Sequence, residues 1–553
     1  MIISKMKDGK TIYKSWRENG EKKFEMVDFR PYFFVSENHK EPSTYNASKY
    51  ILRDFDYAVG DWINLERQPL KKVFVENSYD IKGAKGKFNK TYEADVPFHF
   101  RYCIDEIDEM PEYDMRKWYW DMEWQQGGEH HDKITTIVVY DNFDKEYHQW
   151  VWFPEESPID IFENSLHDNV NYCANEEHMI EHFMSTMIVK DPDMLIAWFG
   201  NFADIPKLLD RACALGLNPL IMSPIGSIKG VKSGRDGYTF AHAENGFGQI
   251  EQPIGGRITL NLDLAFERQW NDSQRGTLPS MSLDYIGEIV LNKKKLVSEK
   301  FPDTNEFYRR GWLEDTQTYL EYALKDVELI VEIDETNFCS EAILSLQRLL
   351  KAPFDACFYA SHMGSIYFMR NAWWKCKTGK RVDKREEYEG AMIYDPLSED
   401  TNGLHLNVAA FDFAGLYPSM MIARNISFET KSDEPTELGV NILTPRDFSE
   451  TTRTKMLYYK TDELGLLPRA VIELKELRNE YKRLMREARE SDNGEYAKWH
   501  NNQMAVKRLM ASFYGIVAFQ GFGWADVDLA ASITASAREA IRLAAFKAKE
   551  MEG

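Results

Sequence analysis

Cysteine is scarce in this sequence: Cys103, Cys173, Cys213, Cys339, Cys357 and Cys376 are the only six in 553 residues, and no two form a C-x-x-C pair. That spacing argues against a disulfide framework or a zinc module, and for reduced structural thiols in a cytoplasm. Long apolar runs are missing too. None approaches the roughly 18 to 20 residues that span a bilayer, so no membrane partner is expected. The N-terminus, MIISKMKDGKTIYKSW, is interrupted by charge too early for the apolar core of a signal peptide. There are no repeats and no low-complexity tracts. Basic charge is in deficit, with 68 Lys and Arg against 89 Asp and Glu and a net charge of −21. At face value this argues against a nucleic-acid partner, because phosphate backbones are bound by Lys and Arg. Net charge, however, says nothing of a local basic stripe, and carboxylate-rich metal sites are themselves acidic.

What is present is the material of a folded, multidomain protein. Hydrophobic residues make up 43% and charged residues 28%, in a chain too long for one core. Residues 11 to 35 alternate as strands, with a turn at ENGEKK and an aromatic strand PYFFV, which predicts a β-rich N-terminal module. From WYWDMEW to about residue 330, strand-like runs (ITTIVVYD, HQWVWF, MLIAWFG) alternate with helix-like ones (EEHMIEHFMSTMI, IPKLLDRACALG). This is the pattern of an α/β domain. Residues 319 to 350 read as one helix leading into a connecting region. A further strand is expected to carry Asp412. Residues 467 to 490 form a long helix with Pro468 near its start; SDNG breaks it, and a second helix to about 515 completes a hairpin.

Two constellations stand out. In WYWDMEW, Asp121 and Glu123 lie at i and i+2 on a strand, so both carboxylates face the same way, the arrangement that binds a hard divalent cation. Taken alone, such a pair is usually a solvated strand face. Here the flanks are aromatic, and charge at the edge of a core needs a partner. Asp204 at a strand-to-helix transition, and Tyr322 and Asp326 at i and i+4 of one helix, supply candidates. The second constellation is the long helix. At 100° per residue, Lys475, Arg478, Lys482, Arg486 and Arg489 fall within roughly 80°. Glu473, Glu476, Glu480, Glu487 and Glu490 gather on another face, and Leu474, Leu477, Tyr481, Leu484 and Ala488 on a third. A salt-bridged surface helix would interleave its signs, so their segregation favours an anion-facing stripe.

The order Asp-x-Glu, Asp, Tyr-x-x-x-Asp, with roughly 80 and 120 residues between its parts, resembles the exonuclease motifs of the DnaQ-like, ribonuclease-H-like 3′-to-5′ proofreading fold. The resemblance implies two Mg²⁺ ions held by Asp121, Glu123, Asp204 and Asp326, with Tyr322 orienting the attacking water. Ala203 and Trp124 depart from the usual bulky residue and Thr. FDFAGLYPS, residues 411 to 419, resembles motif A of family B DNA polymerases, with Gly415 in place of Ser. This implies Asp412 as a catalytic metal ligand ending a buried strand, nucleotide contacts at Phe413 and Leu416, and Tyr417 beneath the sugar, excluding a 2′-hydroxyl. LPRAVIELKELRNEYKRLM is similar to the first fingers helix, with Arg478 and Lys482 on the incoming phosphates. NNQMAVKRLMASFYG is similar to motif B, with Lys507 on the triphosphate and Ala511 replacing Asn. Tyr388 and Gly390 of YEGAMIY, with Tyr514 and Gly515, become DNA contacts.

The family carries a second catalytic acid in a Y-G-D-T-D-S hairpin after motif B, then a thumb; this chain contains no Asp-Thr-Asp. The expectation is therefore an α/β and α+β multidomain protein, the N-terminal portion of a split, phage-like family B polymerase, or one cut at an intein or artificial boundary. Its expected domains are an N-terminal domain at 1–113, completed by 334–385, and an exonuclease at 114–333. The first part of the palm follows at 386–466, helical-hairpin fingers at 467–515 and a palm continuation at 516–553. Mg²⁺, two per site with Mn²⁺ able to substitute, is the expected cofactor. Primer-template, dNTPs, a C-terminal subunit bearing the second Asp and thumb, and a sliding clamp are the expected partners, in the cytoplasm, or a host's if the source is viral. A stand-alone exonuclease with a relic polymerase half and a non-catalytic DNA-binding scaffold are the alternatives.

Overall fold

The computed structural model describes the chain apart from residues 40–41, 43, 48, 50, 156–168, 242–250, 273–275, 381–386, 393–403, 405, 407, 444–453, 493 and 552–553. The expected domain boundary at 385–386 and the end of YEGAMIY lie outside the described residues. Two compact units emerge: Met1–Phe29 with Asp108–Asp355, and Arg30–Ile107 with Ala356–Gly553. The strands of the expected N-terminal module are divided between them.

In the first unit, strands Thr11–Glu18 and Glu21–Asp28 pair antiparallel. Asn19 and Gly20 turn the hairpin at φ 53° and 82°, the left-handed pair that an Asn-Gly turn supplies. Strand Ile2–Lys5 adds an outer edge. A six-stranded sheet follows, ordered Val170–Cys173, Glu146–Trp152, Ile134–Asp141, Lys117–Trp124, Met194–Ala197, Ile258–Asn261. Lys117–Trp124 is antiparallel to one neighbour and parallel to the other. Because side chains alternate along it, Trp118 and Trp120 meet Phe183 of helix Glu176–Lys190, while Asp121 and Glu123 point to the opposite face. Buried Arg17 donates to the carboxylate of Asp193 and, at 2.5 Å, to the carbonyl of Asp191. Arg257 donates to the Asp191 carboxylate at 2.6 Å. The Arg17–Asp193 pair ties the first hairpin to the sheet.

The single helix expected over 319–350 is two, Thr316–Asn337 and Cys339–Leu350, parted at Phe338 in the left-handed region (φ 54°, ψ 37°). The reason is Asp334. Its carboxylate accepts from the Ser340 N–H at 2.8 Å, the Ser340 hydroxyl at 2.6 Å and the Tyr119 hydroxyl at 2.8 Å. The buried acid thus satisfies a backbone donor left open by the break.

In the second unit, strands Tyr32–Ser36, Pro69–Phe74 and Asp56–Ile63 form one sheet, and Lys431–Ser432, Thr454–Tyr459 and Leu438–Leu443 another. The hairpin expected over 467–515 is present as helices Leu466–Ser491 and Tyr496–Ala518, followed by Val527–Met551. On the first of these, Leu474 and Ala488 are buried and the Glu face is exposed, as the three-sided wheel requires. The strand expected to bury Asp412 is not found. Residues 408–413 are exposed and without regular structure, with Phe411 96% exposed. A strand exists through its ladder, and no described strand pairs with this segment. Gly415 then opens helix Leu416–Ala423 at φ 73°, a conformation that costs a residue with a Cβ about 1 kcal/mol.

Candidate active site

The first-unit carboxylates converge. Asp121, Glu123 and Asp326 each offer an oxygen within 4.8 Å of the others. Asp121 and Glu123 come from strand Lys117–Trp124. Asp326 is buried on helix Thr316–Asn337, one turn beyond Tyr322. Asp204, also buried, opens helix Asp204–Ala214 after strand Met194–Ala197. Its charge is felt by Glu123, and it feels that of Asp121, although it stands outside the tight group. Burial, then Asp326, pushes the Asp121 carboxyl up to about 7. Burial, then Asp121, holds Glu123 well above the carboxylate range, and the same two causes raise Asp204. Burial raises Asp326 against the pull of Lys295.

Lys295 was not singled out by the sequence. Its ammonium donates to Asp326 at 2.5 Å and to the Tyr322 hydroxyl at 3.0 Å. Burial lowers its affinity for a proton, but Asp326 and Asp121 more than offset this and the net shift is upward. The only signal was the run Lys293, Lys294, Lys295, which resembles an ordinary solvated patch. Two members are indeed spent on surface pairs, Lys293 with Glu332 and Lys294 with Glu288. Asp326 Oδ1 has no hydrogen-bond partner among the described residues. An all-oxygen donor set with a buried, unsatisfied oxygen fits a hard divalent cation.

A second gathering lies in the other unit. The Tyr417 ring packs against Tyr514, with centroids 4.7 Å apart at 32°, and the Tyr514 hydroxyl meets that of Tyr388 at 2.8 Å. Arg538 donates to the carbonyls of Glu389 and Gly390 at 2.7 and 2.6 Å, anchoring that segment on helix Val527–Met551. Arg478 donates to Gln503 at 3.3 Å across the helical hairpin. Lys482 is held below its ordinary range first by Arg478, then by burial, Lys507 and Arg486. Such crowding of like charge seeks an anion. Lys507 and Gly515 are half-buried and Ala511 is exposed; Phe413 is exposed and Leu416 half-buried. Asp412, five residues before Tyr417, stands exposed and not in the buried setting expected for it.

Residues 118–262 match the family described as DNA polymerase family B, exonuclease domain, and residues 363–551 match DNA polymerase family B. Together these stretches cover more than half of the chain. The chain belongs to DNA polymerase family B. The family B DNA polymerase of the hyperthermophilic archaeon Pyrobaculum calidifontis shares the fold, with a TM-score of 0.70 at 17% identity over 99% of this chain and 71% of that one. A DNA polymerase of Pyrococcus glycovorans is 26% identical over 99% of this chain and 67% of its own length. The DNA polymerase delta catalytic subunit of Candida albicans is 26% identical over 66% of this chain and 34% of its own length. The chain thus spans about two thirds of the length of the Pyrococcus relative. Among the described residues, no helix of this family B polymerase is long and apolar enough to cross a membrane.

Two expected results follow from the exonuclease carboxylates. In the unfolded chain Asp121 titrates near 3.8, and in the folded, metal-free site near 7. Between these values the folded state binds the extra proton, so its stability falls as pH rises through that window. A cation that prefers the ionised acids reverses the loss. The gain in melting temperature on adding Mg²⁺ should therefore be larger at about pH 8 than at about pH 6, which calorimetry measures. Lys295→Met removes the internal counter-charge of Asp326. Without metal at about pH 8, the melting temperature should drop by roughly 5 °C, and by less at about pH 5, where Asp121 holds a proton and the cluster carries less negative charge.

Proposed function

We propose that this chain is the N-terminal part of a family B DNA polymerase whose 3′-to-5′ exonuclease site is complete and whose polymerase site is half-supplied. The observation that carries this reading is the contrast between its acids. Asp121, Glu123 and Asp326 stand together, with Asp204 close behind, whereas Asp412 is exposed. Among the described residues, no other group of three metal-binding side chains occurs.

In the exonuclease site, Asp121, Glu123, Asp204 and Asp326 would hold two Mg²⁺, or Mn²⁺. Bound there, the ions supply Lewis-acid charge to the scissile phosphate and lower the pKa of water. The chain's own residues do the rest. Tyr322 orients the attacking water, and Lys295 holds Tyr322 and Asp326 in place at 3.0 and 2.5 Å. In the polymerase site, Arg478, Lys482 and Lys507 bind the triphosphate of a dNTP, and Tyr417, packed against Tyr514, lies beneath the sugar. Phe413, Leu416 and Ala511 border the nucleotide, and Tyr388, Gly390 and Gly515 follow the template. Asp412 supplies one acid. A C-terminal partner supplies the second acid, the thumb and the neighbouring strand that would cover residues 408–413, which are exposed here. The palm and fingers are assigned to 386–466 with 516–553, and to 467–515. A labelled primer-template given to the purified chain with dNTPs and Mg²⁺ tests the whole reading: shortening without extension is the expected result.

A further inference from the structure

Tyr322 has a second phenol beside it. Its oxygen lies 2.9 Å from that of Tyr308, and the two rings meet edge to face with centroids 6.1 Å apart at 77°. Tyr308 sits on a different helix, Thr304–Glu314. It is half-buried, next to buried Phe307, whose ring also packs on Tyr322 at 5.6 Å.

Hydrogen-bond capacity decides what this pair can do. A phenol has one hydrogen to give and two lone pairs to offer. Lys295 is an ammonium and can only donate, so at 3.0 Å it takes one lone pair of Tyr322. One hydrogen and one lone pair are left. A water that attacks phosphorus must turn its own lone pair to the substrate and its hydrogens to acceptors. To hold such a water, Tyr322 must keep its remaining lone pair open and send its hydrogen elsewhere. The Asp326 carboxylate competes for that hydrogen, but its oxygens are those a divalent cation requires. The Tyr308 oxygen, 2.9 Å away and carrying no charge, is the acceptor that conflicts with nothing.

We propose that Tyr308 is a positioning residue of the exonuclease site: by accepting the Tyr322 hydrogen, it leaves a Tyr322 lone pair to receive a hydrogen of the attacking water. This rests on the exonuclease reading above. Tyr308→Phe keeps both ring contacts and deletes only the acceptor. With a 5′-labelled single strand and Mg²⁺, its kcat should fall roughly tenfold with KM unchanged. Tyr322→Phe should lose more. The double variant should match Tyr322→Phe alone, because Tyr308 acts only through Tyr322. A wild-type kcat for Tyr308→Phe, or a double variant whose loss is the product of the two single losses, overturns the proposal. If Tyr308→Phe melts early, the same cycle measured below its melting range still decides, since a merely structural defect would add to the loss of Tyr322. A wild-type chain that degrades no 3′ end in Mg²⁺ or Mn²⁺ refutes instead the exonuclease reading, and this proposal with it.

Discussion

Asp121→Ala is expected to slow release of nucleotides from a 3′ end by at least about a thousandfold, roughly 4 kcal/mol of lost transition-state stabilisation. The size follows from where the carboxylate stands. Asp121 is the group whose charge raises both Glu123 and Asp204, and with Glu123 and Asp326 it completes an oxygen set within 4.8 Å. Removing it takes one ligand from the cluster and leaves too little negative charge to hold paired divalent ions against water. The same substitution removes a buried, repelled acid, so the metal-free protein should melt no lower than the wild type, and above neutral pH somewhat higher. Lost activity with undiminished stability, read by gel assay and calorimetry on one preparation, distinguishes a ligand from a structural acid. Unchanged degradation by Asp121→Ala would favour a DNA-binding scaffold.

Primer extension is the second large effect. The purified chain with dNTPs and Mg²⁺ should add no nucleotide to a matched primer, and a C-terminal polypeptide carrying the second acid and the thumb should restore synthesis. On the proposed half-site reading, one exposed carboxylate cannot clamp the attacking and leaving oxygens from both sides. In the reconstituted enzyme, Asp412→Ala should abolish synthesis by about a thousandfold or more. Extension by the chain alone would sink the half-site reading. Failure of any such partner to restore synthesis would leave an exonuclease with a relic polymerase half.

Much of the exonuclease site was legible because it obeys local periods. Asp121 and Glu123 share a face because a strand repeats every two residues, and Tyr322 and Asp326 share one because a helix turn spans nearly four. The hairpin of helices Leu466–Ser491 and Tyr496–Ala518 was legible for the same reason, down to the basic stripe that brings Arg478, Lys482 and Arg486 toward Lys507. Phe338 was not legible. An apolar residue inside a helical pattern gives no warning that a buried Asp334 will hold a break open. The strand at Asp412 was overread, because apolar composition signals a strand while only a neighbouring ladder makes one.

By itself the sequence determined the family, the order of its motifs and the faces on which their carboxylates and cations lie, since each depends on spacings within one element. Only the tertiary structure decided which of the lysines at 293–295 enters the carboxylate cluster, that Tyr308 meets Tyr322, and that Tyr417, Tyr514 and Tyr388 stand in a row. Those contacts join separate elements across distances no sequence period encodes, and burial then sets their charges. That is also why Asp412, read from its motif as a finished ligand, proves exposed: its environment has to come from strands beside it in space.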